Sequence, residues 1–135
     1  MKVQVIYQTL SGHSRKVAEA LALPFNVLAK PFSQYVNQET DLLFIGGGIY
    51  AGKLNKKFEI FLNSLSNKNI KKVVIFTTSA SDKSAFEQIK AIFLKNNIEV
   101  ADSSFTCRGR FLFMNWHNPN KEDLTKATEF AKTFI

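Results

Sequence analysis

Short apolar runs of strand length alternate along this chain with segments whose apolar residues recur at helical spacing. The clearest runs are residues 42–45 and 73–76, in which every residue is apolar, so a strand formed there has both faces buried. Strands of that kind, separated by helices, are typical of a parallel sheet covered by helices on each side. The pattern therefore predicts an α/β fold.

The same alternation assigns the individual elements. The strands are expected at residues 3–6, 25–28, 42–45, 73–76 and 100–107. The helices are expected from Ser14, over residues 54–65, from a capping box of Ser84 with Glu87, and from Asn120. Residues 30–40 contain a proline and few periodic apolar residues, so at most one helical turn is expected between the second and third strands.

Length and composition limit the class of protein. The 135 residues, 45% of them hydrophobic, can bury a sizeable core and favour one domain over residues 1–135. A single cysteine excludes a disulfide within the chain, and only two histidines, far apart in sequence, argue against a zinc site. The chain starts directly on a strand pattern and its apolar runs are shorter than a membrane span. We therefore expect no signal peptide, no membrane span and a cytoplasmic location.

The chain is basic, with a net charge of +7 from 18 basic and 11 acidic residues. Nucleic-acid-binding proteins usually concentrate basic and aromatic residues on one element, whereas the lysines of this chain are spread along its length. A solvated basic surface is therefore favoured over a nucleic-acid-binding face.

Two phosphate-related functions, a P-loop and a phospho-receiver domain, are each excluded by residues that their motifs require and this chain lacks. Gly47 and the Gly52-Lys53 pair have the spacing of a P-loop, but Leu54 follows where Ser or Thr must hold magnesium. That motif also follows the third strand rather than the first. A phospho-receiver domain would need carboxylates at the ends of the first and third strands, and neither strand ends in one. The sequence therefore argues against nucleotide hydrolysis and against a phosphorylated aspartate.

Three loops are expected to meet at one edge of the sheet. Ligands of open parallel sheets bind at the carboxyl ends of the strands, where the strand order reverses. That rule brings together loops 8–14, 46–53 and 77–82, all of which are rich in glycine or hydroxyl residues. We expect the ligand site of the protein at this edge.

Three hydroxyl residues surround Gly12 in the first loop, directly before the first helix. Thr9, Ser11 and Ser14 would add hydrogen-bond donors to the N–H groups of the helix N-terminus, a combination that suits a phosphate dianion. Gly12 allows the backbone to approach the ligand closely. The plainer alternative is that these residues only cap the helix, but three hydroxyls exceed what one cap requires.

Residues 9–14 resemble the phosphate loop of the flavodoxins, a T/S-x-T/S-G-x-T/S turn between the first strand and the first helix. Residues 41–62 and 105–135 are similar to the third strand and flavin-contacting loop of that family and to its C-terminal part, so the resemblance covers essentially the whole chain. It implies a flavodoxin-like, doubly wound, five-stranded parallel sheet of order 2-1-3-4-5, with helices on both faces and a very short second helix. It also implies noncovalently bound FMN.

The resemblance implies that FMN contacts the three loops and one tryptophan. The implied contact residues are Thr9, Leu10, Ser11, Gly12, His13, Ser14, Gly47, Gly48, Ile49, Tyr50, Ala51, Gly52, Thr77, Thr78, Ser79, Ala80 and Trp116. Tyr50 is the expected stacking partner of the flavin ring, with packing on its own loop as the alternative. Trp116 either covers the outer face of the ring or packs beside the last helix. His13 either hydrogen-bonds the phosphate or faces water.

The function implied by the resemblance is electron transfer between a reductase and an acceptor protein, with no catalytic residue of the chain itself and no metal. An FMN-dependent oxidoreductase acting on a quinone or on protoporphyrinogen is the alternative, although the chain lacks the long insertion of the protoporphyrinogen oxidases. A flavin-free interaction domain is a third possibility. Because the chain is basic, its redox partners are expected to dock through acidic surfaces.

Overall fold

The structure, a computed structural model, describes residues 1–8, 12–47, 54–78, 82–106 and 121–135, with the backbone alone at 13 and 82–84. The strands are β1 (Val3–Tyr7), β2 (Ala29–Pro31), β3 (Leu42–Gly47), β4 (Val73–Thr77) and β5 (Phe105–Thr106). The helices are α1 (His13–Ala22), α2 (Lys56–Asn63), α3 (Asp82–Lys95) and α4 (Lys121–Lys132). Two 3-10 turns span Leu23–Phe25 and Phe32–Gln34.

The five strands form one parallel sheet in the order β2-β1-β3-β4-β5. The strand order reverses between β1 and β3, which pair so that Tyr7 lies opposite Gly46. On the other side of β3, Gly47 lies opposite Thr77 of β4. The predicted doubly wound sheet of order 2-1-3-4-5 is therefore confirmed, and its central strands end level with one another.

Helices cover both faces of the sheet because alternate residues of each central strand point to opposite sides. The first apolar layer packs the sheet against α1 and α4, and its buried members include Val5, Phe44, Val74, Val17, Leu21 and Ala127. The second packs the sheet against α2 and α3, and its buried members include Ile6, Ile45, Ile75, Phe58, Leu62 and Phe93. Each of the large side chains contributes about 1.5–3 kcal/mol through burial. The sequence prediction of strands apolar on both faces is thus confirmed.

The second strand lies later in the chain than predicted. The expectation of a strand at residues 25–28 is wrong, because Pro24 favours a 3-10 turn over Leu23–Phe25. Asn26 then takes a left-handed conformation with φ 55°, and its backbone N–H donates to the Leu23 carbonyl. The strand begins only after this turn, at Ala29.

Two other element boundaries differ from the sequence expectation. Helix α3 already includes Asp82, so the predicted capping box at Ser84 is wrong, and an acidic residue in the first turn suits the helix dipole. The fifth strand is shorter than the predicted 100–107. Val100 forms an isolated bridge with Val73, and the regular pairing with β4 is confined to Phe105–Thr106 among the described residues.

The segment between β2 and β3 contains a single 3-10 turn, Phe32–Gln34, as its sequence predicted. Side chains tie this segment to the sheet. The Gln4 amide donates to the Val36 carbonyl at 3.0 Å and to Thr40 Oγ1 at 2.8 Å. At the same amino edge, the backbone N–H of Lys2 and the Lys71 ammonium lower the pKa of the Asp41 carboxyl. None of the helices in the described part of the chain has both the length and the apolar content needed to cross a membrane.

Candidate ligand site at the carboxyl edge of the sheet

Strands β1, β3 and β4 end together at the carboxyl edge of the sheet, and hydrogen bonds continue one residue beyond two of them. The backbone N–H of Gln8 donates to the Gly46 carbonyl at 2.9 Å, and that of Thr78 donates to the Gly47 carbonyl at 3.3 Å. This edge therefore has a fixed backbone from which the loops predicted to bind the ligand depart.

Gly46 and Gly47 are required by the packing of neighbouring strands. A Cβ on Gly46 would lie 1.8 Å from the Phe76 carbonyl oxygen, and one on Gly47 would lie 2.6 Å from the Gln8 carbonyl oxygen. Neither residue has a positive φ in the structure, so close approach of the strands, rather than an unusual backbone conformation, is the reason for glycine at these positions.

Helix α1 starts at this edge on a glycine. Gly12 is the N-cap residue with φ 87°, a left-handed conformation that favours glycine, and none of the described side chains caps the first turn. By contrast, Asn55 caps α2 by accepting a hydrogen bond from the Phe58 N–H at 3.0 Å. The described residues therefore provide α1 with no side-chain cap like that of α2, and the partial positive charge of the α1 N-terminus points to the site.

The hydroxyl of Ser14, in the first turn of α1, contacts the end of β4 rather than capping its own helix. Its Oγ lies 2.6 Å from Thr78 Oγ1. Ser14 is 2% exposed and Thr78 is 8% exposed. A buried hydrogen bond of this kind contributes about 0.5–1.5 kcal/mol. It brings together a residue of the predicted phosphate loop and one of the predicted third loop, 64 positions apart.

The neighbouring Thr77 belongs to a different pair. Its Oγ1 lies 3.4 Å from Thr106 Oγ1 of the adjacent strand, and Thr77 is itself buried within β4. Successive residues of a strand point to opposite faces, so the side chains of Thr77 and Thr78 lie on opposite faces of the sheet. Of these two threonines, Thr78 is the one that contacts the first turn of α1.

Gln8 is a buried polar residue at this edge that the sequence pattern did not single out. It is 4% exposed, and its Oε1 is buried without a hydrogen-bond partner in the described part of the chain. An unpaired buried acceptor costs about 1–3 kcal/mol. The available signal was a polar residue that ends an otherwise apolar strand, at the edge where ligands bind.

The remaining predicted site residues lie outside the described residues and stay predictions. They are Thr9, Leu10, Ser11, Gly48, Ile49, Tyr50, Ala51, Gly52, Ser79, Ala80 and Trp116. His13 is described through its backbone, which opens α1. Within the described ranges, no group of three or more His, Cys, Asp or Glu side chains could hold a metal ion.

Comparison with known proteins identifies the family of this chain. A family model described as the flavodoxin domain matches residues 4–114. The chain belongs to the flavodoxin family. This flavodoxin-family protein is 30% identical to "Uncharacterized protein MJ0298" of Methanocaldococcus jannaschii, over an alignment that covers 100% of this chain and 99% of the relative.

Solved flavodoxin structures share the fold. One is a flavodoxin from the domain Archaea, with a TM-score of 0.76 and 19% identity, covering 97% of this chain and 94% of the other. Another is oxidised Flavodoxin 2 from Bacillus cereus, with a TM-score of 0.74 and 15% identity, covering 99% of this chain and 97% of the other. The flavodoxin resemblance seen in residues 9–14 and 41–62 is therefore confirmed at the level of family and fold.

Proposed function

We propose that this protein binds FMN noncovalently at the carboxyl edge of its sheet and carries electrons between a reductase and an acceptor protein. The observation that carries the proposal is the glycine-capped N-terminus of α1 beside the buried Ser14–Thr78 pair, in a chain of the flavodoxin family. When bound, FMN supplies the electron-transfer chemistry. The protein binds the cofactor, orients it and sets the charge around it.

The described residues fit the phosphate end of FMN. The first-turn N–H groups of α1 and the helix dipole favour an anion, and no described side chain competes for that position as Asn55 does in α2. Ser14 has a hydroxyl at the same turn. With Thr9 and Ser11 as further donors, the site would hold a dianion without a salt bridge.

The ring is proposed to lie between the loops after β3 and β4. Gly46 and Gly47 have no side chains, which allows the ends of β1, β3 and β4 to pack closely. A ligand bound above this edge would therefore lie over closely packed backbone. Tyr50 is the proposed stacking partner, and the Ala51-Gly52 peptide is the one proposed to turn its carbonyl toward the ring. Trp116 remains a candidate for the outer face.

The cofactor assignment is tested by purification. The protein should be yellow, and heat denaturation should release a flavin that chromatography identifies as FMN. A colourless protein that also fails to bind added FMN in a fluorescence titration would contradict the proposal and favour a flavin-free interaction domain.

Replacing Tyr50 by alanine is expected to weaken FMN binding and to restore flavin fluorescence in the complex, because stacking on an aromatic ring quenches that fluorescence. The loss of stacking is worth about 0.5–1.5 kcal/mol beyond the buried area. Tyr35→Phe, in the segment before β3, is the control and should leave the quenching unchanged. If the fluorescence of bound FMN is as strongly quenched in Tyr50→Ala as in the original protein, Tyr50 is not the stacking residue and Trp116 becomes the candidate.

The proposed role as a carrier is separated from that of an enzyme by turnover. A carrier should show little steady-state oxidation of NADPH or reduction of quinone on its own, and should need a partner reductase. Sustained turnover with either substrate alone would favour the FMN-dependent oxidoreductase. A cytoplasmic location is proposed with the carrier role and is tested by cell fractionation.

Two exposed lysines at the start of α2 are proposed to form part of the docking surface. Lys56 and Lys57 are exposed in the first turn of α2, although the helix dipole disfavours positive charge at that end. Helix α2 begins shortly after the loop proposed to contact the flavin. We propose that these lysines help acidic partners to dock, which fits the net charge of +7.

Replacing both Lys56 and Lys57 by glutamine removes two positive charges and is expected to make the reduction potential of bound FMN more negative. Positive charge stabilises an added electron, and a charge about 10 Å away at an effective dielectric of about 40 contributes roughly 0.8 kcal/mol, or about 35 mV for one electron. The shift should shrink as salt is added.

The matched control is the glutamine replacement of Lys68 and Lys95, which are exposed. They lie toward the amino edge of the sheet, before β4 and at the end of α3. This pair removes the same charge far from the site and should shift the potential much less. Equal shifts from both pairs in a redox titration would contradict a local effect of the α2 lysines.

A further inference from the structure

Gln4 lies in β1 and Gln8 directly follows that strand, on the same face of the sheet, yet their side chains have different environments. The Gln4 amide donates to the Val36 carbonyl and to Thr40 Oγ1, and its oxygen accepts from the Val36 N–H at 3.4 Å. Gln8 Oε1 is buried without a partner in the described part of the chain. Protein groups thus satisfy the glutamine at the amino edge, whereas the acceptor of the one at the ligand edge is not used by any described residue.

The backbone of Gln8 is held by a neighbouring strand, and its side chain packs against Gly47. Its backbone N–H donates to the Gly46 carbonyl at 2.9 Å, and its Oε1 lies 3.0 Å from the point where a Cβ on Gly47 would be. The amide therefore occupies the space that a side chain at 47 would take. It lies between the start of the loop proposed to bind phosphate and the start of the loop proposed to contact the ring.

The chemistry of an amide oxygen limits which part of FMN it can meet. This atom only accepts hydrogen bonds, whereas a phosphate dianion has no hydrogen to donate. The hydroxyl groups of the ribityl chain are donors, and that chain connects the phosphate to the ring. Gln8 lies between the two loops proposed to hold those ends, so the ribityl hydroxyls are the donors that match its position.

We propose that Gln8 Oε1 accepts a hydrogen bond from a ribityl hydroxyl of the flavin, which makes Gln8 a binding residue outside the phosphate-loop pattern. The inference rests on the proposed binding of FMN. It explains why a buried acceptor that costs free energy in the ligand-free protein lies at this edge of the sheet. The bound ligand would remove that cost.

The test compares three flavins with Gln8→Leu and Gln8→Met. FMN has the phosphate and the ribityl chain, riboflavin has the ribityl chain without phosphate, and lumiflavin has neither. Both variants should lower the affinity for FMN and for riboflavin by the same factor, about 2- to 12-fold for one hydrogen bond. Both should leave the affinity for lumiflavin unchanged. Neither variant should lower the melting temperature of the ligand-free protein, because each removes an acceptor that has no partner among the described residues. If Gln8→Leu does not fold, the longer methionine side chain keeps the test available.

Gln4→Leu is the matched control. It breaks hydrogen bonds that the structure contains, so it should lower the melting temperature and leave the ratios among the three flavin affinities unchanged. Unchanged affinity of the Gln8 variants for FMN and riboflavin would overturn the inference, and an equal loss for lumiflavin would overturn the assignment to the ribityl chain. Failure of the original protein to bind FMN would contradict the proposed function itself.

Discussion

Replacing Gly46 by alanine is expected to destabilise this protein by at least about 4 kcal/mol, a large part of the 5–15 kcal/mol that holds a typical protein folded. The added Cβ would lie 1.8 Å from the Phe76 carbonyl oxygen and 2.7 Å from its carbonyl carbon. These are backbone atoms of β4, which pairs with β3 at this position. Relief of the clash would therefore require the two central strands to separate.

Urea denaturation followed by circular dichroism measures the effect, and Gly12→Ala is the control. Among the described residues, no atom lies within 4 Å of the point where a Cβ on Gly12 would be, so the expected penalty comes from its φ of 87°. A left-handed conformation costs an alanine about 1–2 kcal/mol. A Gly46→Ala protein that is no less stable than Gly12→Ala would contradict the packing seen between β3 and β4.

The architecture was predictable because its strongest signals are local in sequence. Runs such as 42–45 and 73–76 are apolar at every position, and only a sheet covered on both faces buries them fully. The second strand was misplaced because apolar residues at 25–28 suggested a strand, whereas Pro24 and Asn26 produce a turn there. Turn chemistry at two residues outweighed the apolar pattern.

The site was predictable only in part, because its contacts join distant residues. The sequence indicated Ser14 through its neighbours, but its hydrogen bond to Thr78, 64 positions away, depends on how α1 lies against the end of β4. Gln8 was missed because a polar residue at the end of a strand is read as the start of a loop. Its burial follows from its closeness to Gly47, which a one-dimensional pattern does not contain.

The Ser14–Thr78 hydrogen bond bears on how the site would bind FMN. Either hydroxyl can be the donor in this pair. If Thr78 donates to Ser14, the Ser14 hydrogen is available to a phosphate, and the buried pair then orients that donor. Binding of an anion at the N-terminus of α1 would favour this arrangement, because the dianion accepts hydrogen bonds and cannot donate them.

The double replacement Ser11→Ala with Ser14→Ala is expected to weaken FMN binding by at least two orders of magnitude and to change riboflavin binding little. A hydrogen bond to a charged group is worth about 1.5–3 kcal/mol, so two of them correspond to about 3–6 kcal/mol. Riboflavin has no phosphate and loses neither bond. Isothermal titration calorimetry with both ligands measures the difference.

Thr77→Val and Thr78→Val serve as paired controls for this experiment, since each removes one buried threonine hydroxyl from the end of β4 or the residue after it. Thr77→Val leaves the Ser14 contact intact, so it should not change the ratio of FMN to riboflavin affinity. Thr78→Val removes the partner that orients Ser14 and should lower that ratio by less than the double serine variant. If the serine variant instead weakens both flavins equally, the hydroxyls stabilise the loop and do not bind the phosphate.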